Sequence, residues 1–312
     1  MTNVSMQPRP RRETGALVQE GPVLLATKPF NGLDAPLAVA RWLAAREERE
    51  LRVVSVLEPI EGIVMDGEPP LPSRYYGGER RALAAQIRRE LEVDDAGPDL
   101  LRVDVLEGPS AQTVVDAARE CGARVIVVGT GRHDRIGRYV YGERALQIVG
   151  LADRPVLVVP GGAVAAPVSV AIVAVDFSPA SVRAAVAALP LLSPGGRLVV
   201  VHVKPGVTLH EETAGWWNDA YERRCAELFA KFIRQLPHPS GVTFESKFLR
   251  GDIVPKIVDY AASQGAGLIA CGRLGHSLVE RVFVGSVSSA LIRRASCPVL
   301  VAPELPGDAA WH

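Results

Sequence analysis

Short runs of Val, Ile, Leu and Ala recur along the 312-residue chain, each separated from the next by a longer stretch whose apolar positions follow helical spacing. The strand-like runs fall at 23–27, 51–57, 101–106, 124–128 and 156–159, then at 168–175, 197–203, 243–249, 267–271 and 299–302. Helical stretches include 35–46, 80–91, 180–191, 213–235 and 287–295. Strands that are apolar almost throughout, alternating with helices, predict parallel sheets covered on both faces.

The pattern is written twice. Arg124-Val-Ile-Val-Val-Gly129 is answered by Gly267-Leu-Ile-Ala-Cys-Gly272, and Arg154-Pro-Val-Leu-Val-Val-Pro160 by Cys297-Pro-Val-Leu-Val-Ala-Pro303. Gly108 and Gly251, Gly129 and Gly272, Gly142 and Gly285, and Pro155 and Pro298 are each 143 positions apart. Nearer the start of each half the offset grows, since Ser55-Val56 answers His202-Val203, so the halves differ in length before the third strand. Such a repeat decides the architecture. The fold expected is α/β, two tandem doubly wound five-stranded parallel-sheet domains at 19–160 and 168–305. The linker expected at 161–167 lies in a Gly- and Pro-rich stretch without periodicity, and residues 1–18 are expected to form a disordered tail.

Composition narrows the function. Apolar residues at 48% and charged residues at 22% are those of a folded globular chain, and aromatics at 5% leave the core to aliphatic side chains. Thirty-five basic residues balance 35 acidic ones, so no global field favours nucleic acid or an acidic membrane. The longest apolar stretches, such as 170–175, fall far short of the roughly 20 residues that span a bilayer. Arg9, Arg11 and Arg12 are not followed by the apolar segment of a signal peptide. The four cysteines show no CxxC spacing and read as reduced core thiols of a cytoplasmic protein. The histidines show no metal-ligand spacing; His202, in a buried strand, reads as a satisfied core histidine.

Chemistry is expected beyond the carboxyl ends of the strands, where the strand order of an open α/β sheet reverses. In the second half those ends carry Asp176-Phe-Ser178, His202-Val203-Lys204 and Gly272-Arg-Leu-Gly275. Nine residues on, Gly285-Ser286 opens a helix whose free N–H groups favour an anion. Glycines there are expected to supply positive φ and to keep Cβ atoms away from phosphate oxygens. A bare GxxG also marks ordinary turns; the strand before it, the helix after it and Asp176 on a neighbouring strand favour the phosphate site. Two roles are open to Asp176: helix N-cap, which Ser178 could fill equally, or acceptor for a purine amino group or ribose hydroxyl.

On these residues the second half resembles the universal stress protein family. Gly272-x-x-Gly275-x9-Gly285-Ser286 is similar to that family's ATP-binding pattern, and Val173-Ala-Val-Asp176-Phe-Ser178, Val200-Val-His202-Val203 and Cys297-Pro-Val-Leu-Val301 agree with it. The resemblance implies ATP as ligand, with Mg²⁺ carried on the phosphates, in a stress-response sensor or regulator. It places Asp176 and Val203 against adenine, Gly272 and Gly275 in the loop, and Gly285, Ser286 and Val287 on the phosphates. Ala174, Val175, Ser178 and Cys271 would complete the pocket. It also implies that the fifth strands, 156–159 and 299–302, pair edge to edge, and a homodimer of the tandem chain is expected beyond that pair. The first half departs from the pattern. Lys28 stands for Asp176, Arg132 for the second glycine and Glu143 for Ser286, so ATP binding is expected to be lost there, although Lys28, Arg132, Arg135 and Arg138 could hold another anion. Catalysis would fall to His276, Glu280 or Arg281; His276 has no identifiable partner carboxylate and Glu280 reads as a surface residue, so binding with little turnover is expected over a slow ATPase or a phosphoryl or nucleotidyl transferase. A dimerisation scaffold is the remaining alternative.

Overall fold

A computed structural model describes residues 21–27, 34–58, 76–90, 101–130, 142–164, 166–205, 211–274 and 284–305. In chain order the first half contains β1 (Val23–Thr27), α1 (Asp34–Arg46), β2 (Leu51–Leu57), α2 (Tyr76–Glu90), β3 (Leu101–Glu107), α3 (Ser110–Glu120), β4 (Val125–Gly129), α4 (Glu143–Leu151) and β5 (Val156–Val159). The second half contains β6 (Val168–Ala174), α5 (Pro179–Ala188), β7 (Leu192–Lys204), α6 (Glu211–Arg234), β8 (Thr243–Arg250), α7 (Ile253–Ser263), β9 (Leu268–Gly272), α8 (Ser286–Arg294) and β10 (Val299–Ala302). A 3-10 turn, Leu189–Leu191, joins α5 to β7.

The ten strands form one sheet in the order β3-β2-β1-β4-β5-β10-β9-β6-β7-β8. Pairing is parallel within each half, and the halves meet through β5 and β10, which run antiparallel with Leu157 opposite Leu300. The edge pairing implied by the resemblance is thus the centre of the molecule. Strand register equates the halves directly. Ala26 pairs with Val54 and Val128 as Ala174 pairs with Val201 and Cys271, which sets Ser55 on His202; in sequence Lys28 follows Ala26 by two residues as Asp176 follows Ala174. Ser55 pairs with Val105 as His202 pairs with Phe248, so most of the offset change lies between the second and third strands of each half.

Alternate strand residues feed two cores, because successive side chains point to opposite faces. Val23, Leu25, Val173 and Val200 pack under α1, α2, α5 and α6, while Leu24, Ile172, Val201 and Cys271 pack under α3, α4, α7 and α8. Burying each such aliphatic side chain contributes roughly 1.5–3 kcal/mol. Gly108 and Gly251 precede α3 and α7 at φ 140 and 120, a backbone that other residues rarely adopt.

Two expectations need correction. The second strand of the second half, expected over 197–203, begins at Leu192: Leu192 pairs with Val168 and Arg197 with Val170, so 193–196 bulge out, with Gly195 at φ 78. The thiols are free, but only Cys225 and Cys271 are buried; Cys121 and Cys297 are half-buried at helix and strand ends. The expected tail, Lys28, Arg132, Arg135, Arg138, Gly275, His276, Glu280 and Arg281 lie outside the described residues. Among the described residues no helix is long and apolar enough to cross a membrane, and no His/Cys/Asp/Glu group could hold a metal.

Candidate functional site

Within the second half, strand order reverses between β6 and β9, since the connection from β6 runs outward to β7 while β9 returns on its other side. The carboxyl ends of these two strands are therefore the position at which open α/β sheets take ligands. Asp176 leaves the first and Gly272 ends the second, with Val203 near the end of neighbouring β7.

The turn after β6 is built around Asp176. Its Oδ1 accepts hydrogen bonds from the Ser178 N–H (3.1 Å) and the Ser181 hydroxyl (2.6 Å), while its own N–H donates to Ser181 Oγ (3.3 Å). Ser178 is the N-cap of α5, accepting from the Ser181 N–H, and Pro179 follows in the first turn. Ser178 is therefore the cap and Asp176 the residue that fixes the turn ahead of it. Between them Phe177 sits at φ 65, a left-handed backbone costing roughly 1–2 kcal/mol. Its ring is held against His202 (4.9 Å between centroids) and edge-on to Phe229 (5.3 Å), contacts that offset the cost.

His202 is satisfied, as expected. Its Nδ1 lies 2.8 Å from the Val175 carbonyl, which can only accept, so Nδ1 carries the proton and Nε2 accepts from the Tyr221 hydroxyl at 2.9 Å. The ring fixes Val175, which also donates its N–H to the Val201 carbonyl (2.9 Å). On the opposite face of the sheet Ala174, Val203 and Cys271 lie together, each less than a tenth exposed. Burial, reinforced by the charges of Asp176 and Glu304, pushes the Cys271 thiol up to about 12, so it stays neutral at physiological pH.

The start of α8 is tied to the end of β9. The Gly285 N–H donates to the Arg273 carbonyl (2.9 Å), and the buried Ser288 hydroxyl donates to the same oxygen (2.7 Å). Gly285 is the N-cap, Ser286 is exposed at the first helical position, and Val287 is partly buried. The first-turn N–H groups of Ser286, Val287 and Ser288 have no acceptor within the helix and form the positive end of its dipole. The glycines serve differently from expectation. Gly285 is extended at φ −60, not left-handed, and a Cβ there would lie 2.8 Å from the Arg273 carbonyl oxygen. A Cβ on Gly272 would lie 2.9 Å from the Ala180 Cβ. Both sit where a neighbour passes too close for a Cβ, backbone at Gly285 and the Ala180 methyl at Gly272, which holds α8 and α5 against β9.

Three residues were not singled out from sequence. Ser288 is an ordinary helix serine until the fold buries it. Arg273, inside the Gly-x-x-Gly motif, reaches toward the first half: Nη1 donates to the carbonyls of Gly150 (2.7 Å) and Ala152 (3.2 Å), and Nε to Glu304 Oε2 (3.1 Å). Glu304 also accepts the Leu274 N–H through Oε1 (2.8 Å).

At the corresponding edge of the first half the chemistry differs. Gly142 is left-handed at φ 77, Glu143 follows as the first residue of α4, and its carboxylate pairs with Arg293 of α8 (3.1 Å). Arg144 pairs with Glu58 (3.0 Å). A carboxylate thus stands at the helix start where the second half presents a serine.

Comparison with known proteins gives a consistent picture. The model of the universal stress protein family matches residues 21–160 and again 169–303. A universal stress protein of Methanocaldococcus jannaschii is 33% identical over 106 residues, which is 33% of this chain and 61% of that protein. One described as putative from Staphylococcus haemolyticus is 39% identical over 92 residues, 28% of this chain and 54% of the relative. The chain thus spans somewhat over half the length of these curated relatives. Among solved structures, a universal stress protein from Archaeoglobus fulgidus superposes with a TM-score of 0.60 at 18% identity, covering 91% of this chain and 99% of that one. A protein of Pseudomonas aeruginosa PAO1 described as functionally unknown gives 0.59 at 15% identity, with 93% and 95% coverage. At these identities the structures speak to the fold.

Proposed function

Since the chain belongs to the universal stress protein family, matched once by each half, we propose that its second half binds ATP at the carboxyl ends of β6 and β9 and that the protein acts as a nucleotide-responsive regulator in the stress response. One observation carries the reading. The start of α8, whose first N–H groups lack partners within the helix, is anchored to the end of β9 through the Arg273 carbonyl, at the switch point of the sheet to which Asp176 also belongs.

The residues fit the nucleotide. Ala174, Val203 and Cys271 offer an apolar wall for adenine. Asp176, its Oδ1 held by two hydrogen bonds, is a rigid acceptor for a purine amino group or ribose hydroxyl. Gly285, Ser286 and Val287 present the helix N-terminus to the phosphates, and Gly272 lets α5 close on the end of β9 beside them. Gly275, in the same motif, would complete the loop. Mg²⁺ would be carried on the phosphates. The first half, with Glu143 at its helix start, repels an anion there, so one nucleotide per chain is the expected stoichiometry. Cytoplasmic residence accords with four free thiols. The β5 and β10 edges are consumed within the chain, so a homodimer would use β3, β8 or a helical face.

Denaturing the purified protein and identifying the released ligand by mass spectrometry, with ATP titrated into ligand-free protein, tests this reading. An adenine nucleotide at one per chain is expected, with binding lost in Gly285→Glu and kept in Gly142→Glu. Absence of released nucleotide together with no thermal shift on adding ATP would overturn it. Phosphate release at a steady rate, abolished by Ser286→Ala, would instead favour an ATPase.

A further inference from the structure

Of the two cations buried most deeply among the described residues, Arg124 is neutralised within its own half by Glu47, but Arg273 reaches out of its half. It belongs to the Gly-x-x-Gly loop of the second half, and its guanidinium, 6% exposed, ends on the last turn of α4 in the first half. Carbonyls at the end of a helix lack intrahelical partners and carry the negative end of its dipole, so α4 offers a ready acceptor pair for a desolvated cation. Glu304, just after β10, supplies the counter-charge.

The main chain of Arg273 is equally committed. Its N–H donates to the Ala302 carbonyl (2.8 Å) and its carbonyl receives both bonds from the start of α8. The next N–H, of Leu274, is held by the same Glu304 carboxylate. A rotation of this peptide would carry Gly285 and Ser288 with it, and so move the N–H groups offered to phosphate. Side chain and carboxylate together prevent that rotation. At the equivalent positions the first half has Thr130, whose buried hydroxyl has no hydrogen-bond partner, and Gly161. The device exists on one side of the seam alone.

We infer that Arg273, locked by Glu304 and by the α4 carbonyls of Gly150 and Ala152, is the positioning residue of the phosphate loop, so that the first half serves as a fixed strut for binding in the second. The inference rests on the nucleotide reading and adds to it a reason for retaining a half that lacks the motif. It also gives a physical path by which any displacement of α4 would alter nucleotide affinity.

Adenosine and ATP separate the two questions, because adenosine reads the base pocket while ATP also reads the loop. With Arg273→Met, which keeps the aliphatic stem, ATP affinity should fall about tenfold while adenosine affinity stays within about twofold, the scale of one lost charge-assisted interaction. Glu304→Gln, which keeps the shape and a carbonyl for the Leu274 N–H, should show the same split at about threefold and covers the case in which Arg273→Met does not fold. A residue important for stability alone would lower the melting temperature and leave the ratio of the two affinities unchanged. Equal loss of both ligands, or no loss of ATP, in either folded variant would overturn the inference while leaving the nucleotide reading intact. Wild-type protein that binds neither ligand would refute the nucleotide reading, and the inference with it.

Discussion

At the end of β4 the chain places Thr130, Gly142 and Glu143; at the equivalent end of β9 it places Arg273, Gly285 and Ser286. The strands beneath are interchangeable, with matched registers and aliphatic cores of the same kind, so the difference lies in a few residues along one rim. In the second half the rim residues hold one another: Ser288 and Gly285 on the Arg273 carbonyl, Leu274 and Arg273 on Glu304. In the first half they reach elsewhere, Glu143 to Arg293 and Arg144 to Glu58. Sheet and helices are thus a common frame, and the chemistry resides in side chains that frame stability does not constrain.

The largest effect separating the halves is expected at alkaline pH. Cys271 occupies the place that Val128 fills in the first half, and burial raises its pKa from 9.0 to about 12. Folded protein therefore keeps this proton while the unfolded chain releases it above about pH 9. Stability contributed below that value is lost as pH rises toward 12, at about 1.4 kcal/mol per pH unit. Cys271→Val installs the first half's residue and should flatten the decline of urea stability between pH 8 and 10.5. Identical slopes in the two proteins would show that the thiol titrates freely. Cys297, raised to about 11 by burial, adds a smaller decline that remains in the variant.

A second contrast, at the helix-opening glycines, is smaller. Gly142→Ala meets no clash, its Cβ making ordinary contact with Ile292 Cγ2 at 3.7 Å, but its φ of 77 costs roughly 1–2 kcal/mol once a Cβ is added. Gly285→Ala keeps an allowed φ of −60 and instead forces α8 away from the Arg273 carbonyl. Both variants should melt earlier, yet only Gly285→Ala should lose affinity for ATP. Loss of binding in Gly142→Ala at unchanged stoichiometry would mean that the first half contributes directly to the ligand.

Much of this was legible in the chain. Ten strands, the duplication and the convergence at one edge all follow from apolar runs and glycine spacing, because a parallel sheet demands continuous apolar strands and because the repeat fixes their order. What stayed hidden depends on contacts across long separations. Arg273 meets Gly150 and Ala152 more than a hundred residues away, and nothing local marks it as an interface residue rather than a solvated loop cation. The left-handed Phe177 was equally invisible, since only the aromatic packing around His202 makes that conformation tenable. At Gly285 the glycine answers to close approach and not to positive φ, and the two demands look the same in sequence.

The smallest effect offers the most direct attempt to erase the difference between halves. Glu143→Ser gives α4 the residue that opens α8, and removes a pair with Arg293 in which both side chains are about half exposed. Pairs so exposed are worth at most about 1 kcal/mol and are weakened further by salt, so stability should change by a few tenths and less at high ionic strength. Removing the carboxylate also removes the charge opposing an anion at that helix start. Even so, no second nucleotide should appear, because Lys28 still stands at the position of Asp176 and Thr130 cannot replace Arg273 in fixing the loop. A stoichiometry rising from one to two in Glu143→Ser would show that a single carboxylate, and not the whole rim, had silenced the first half.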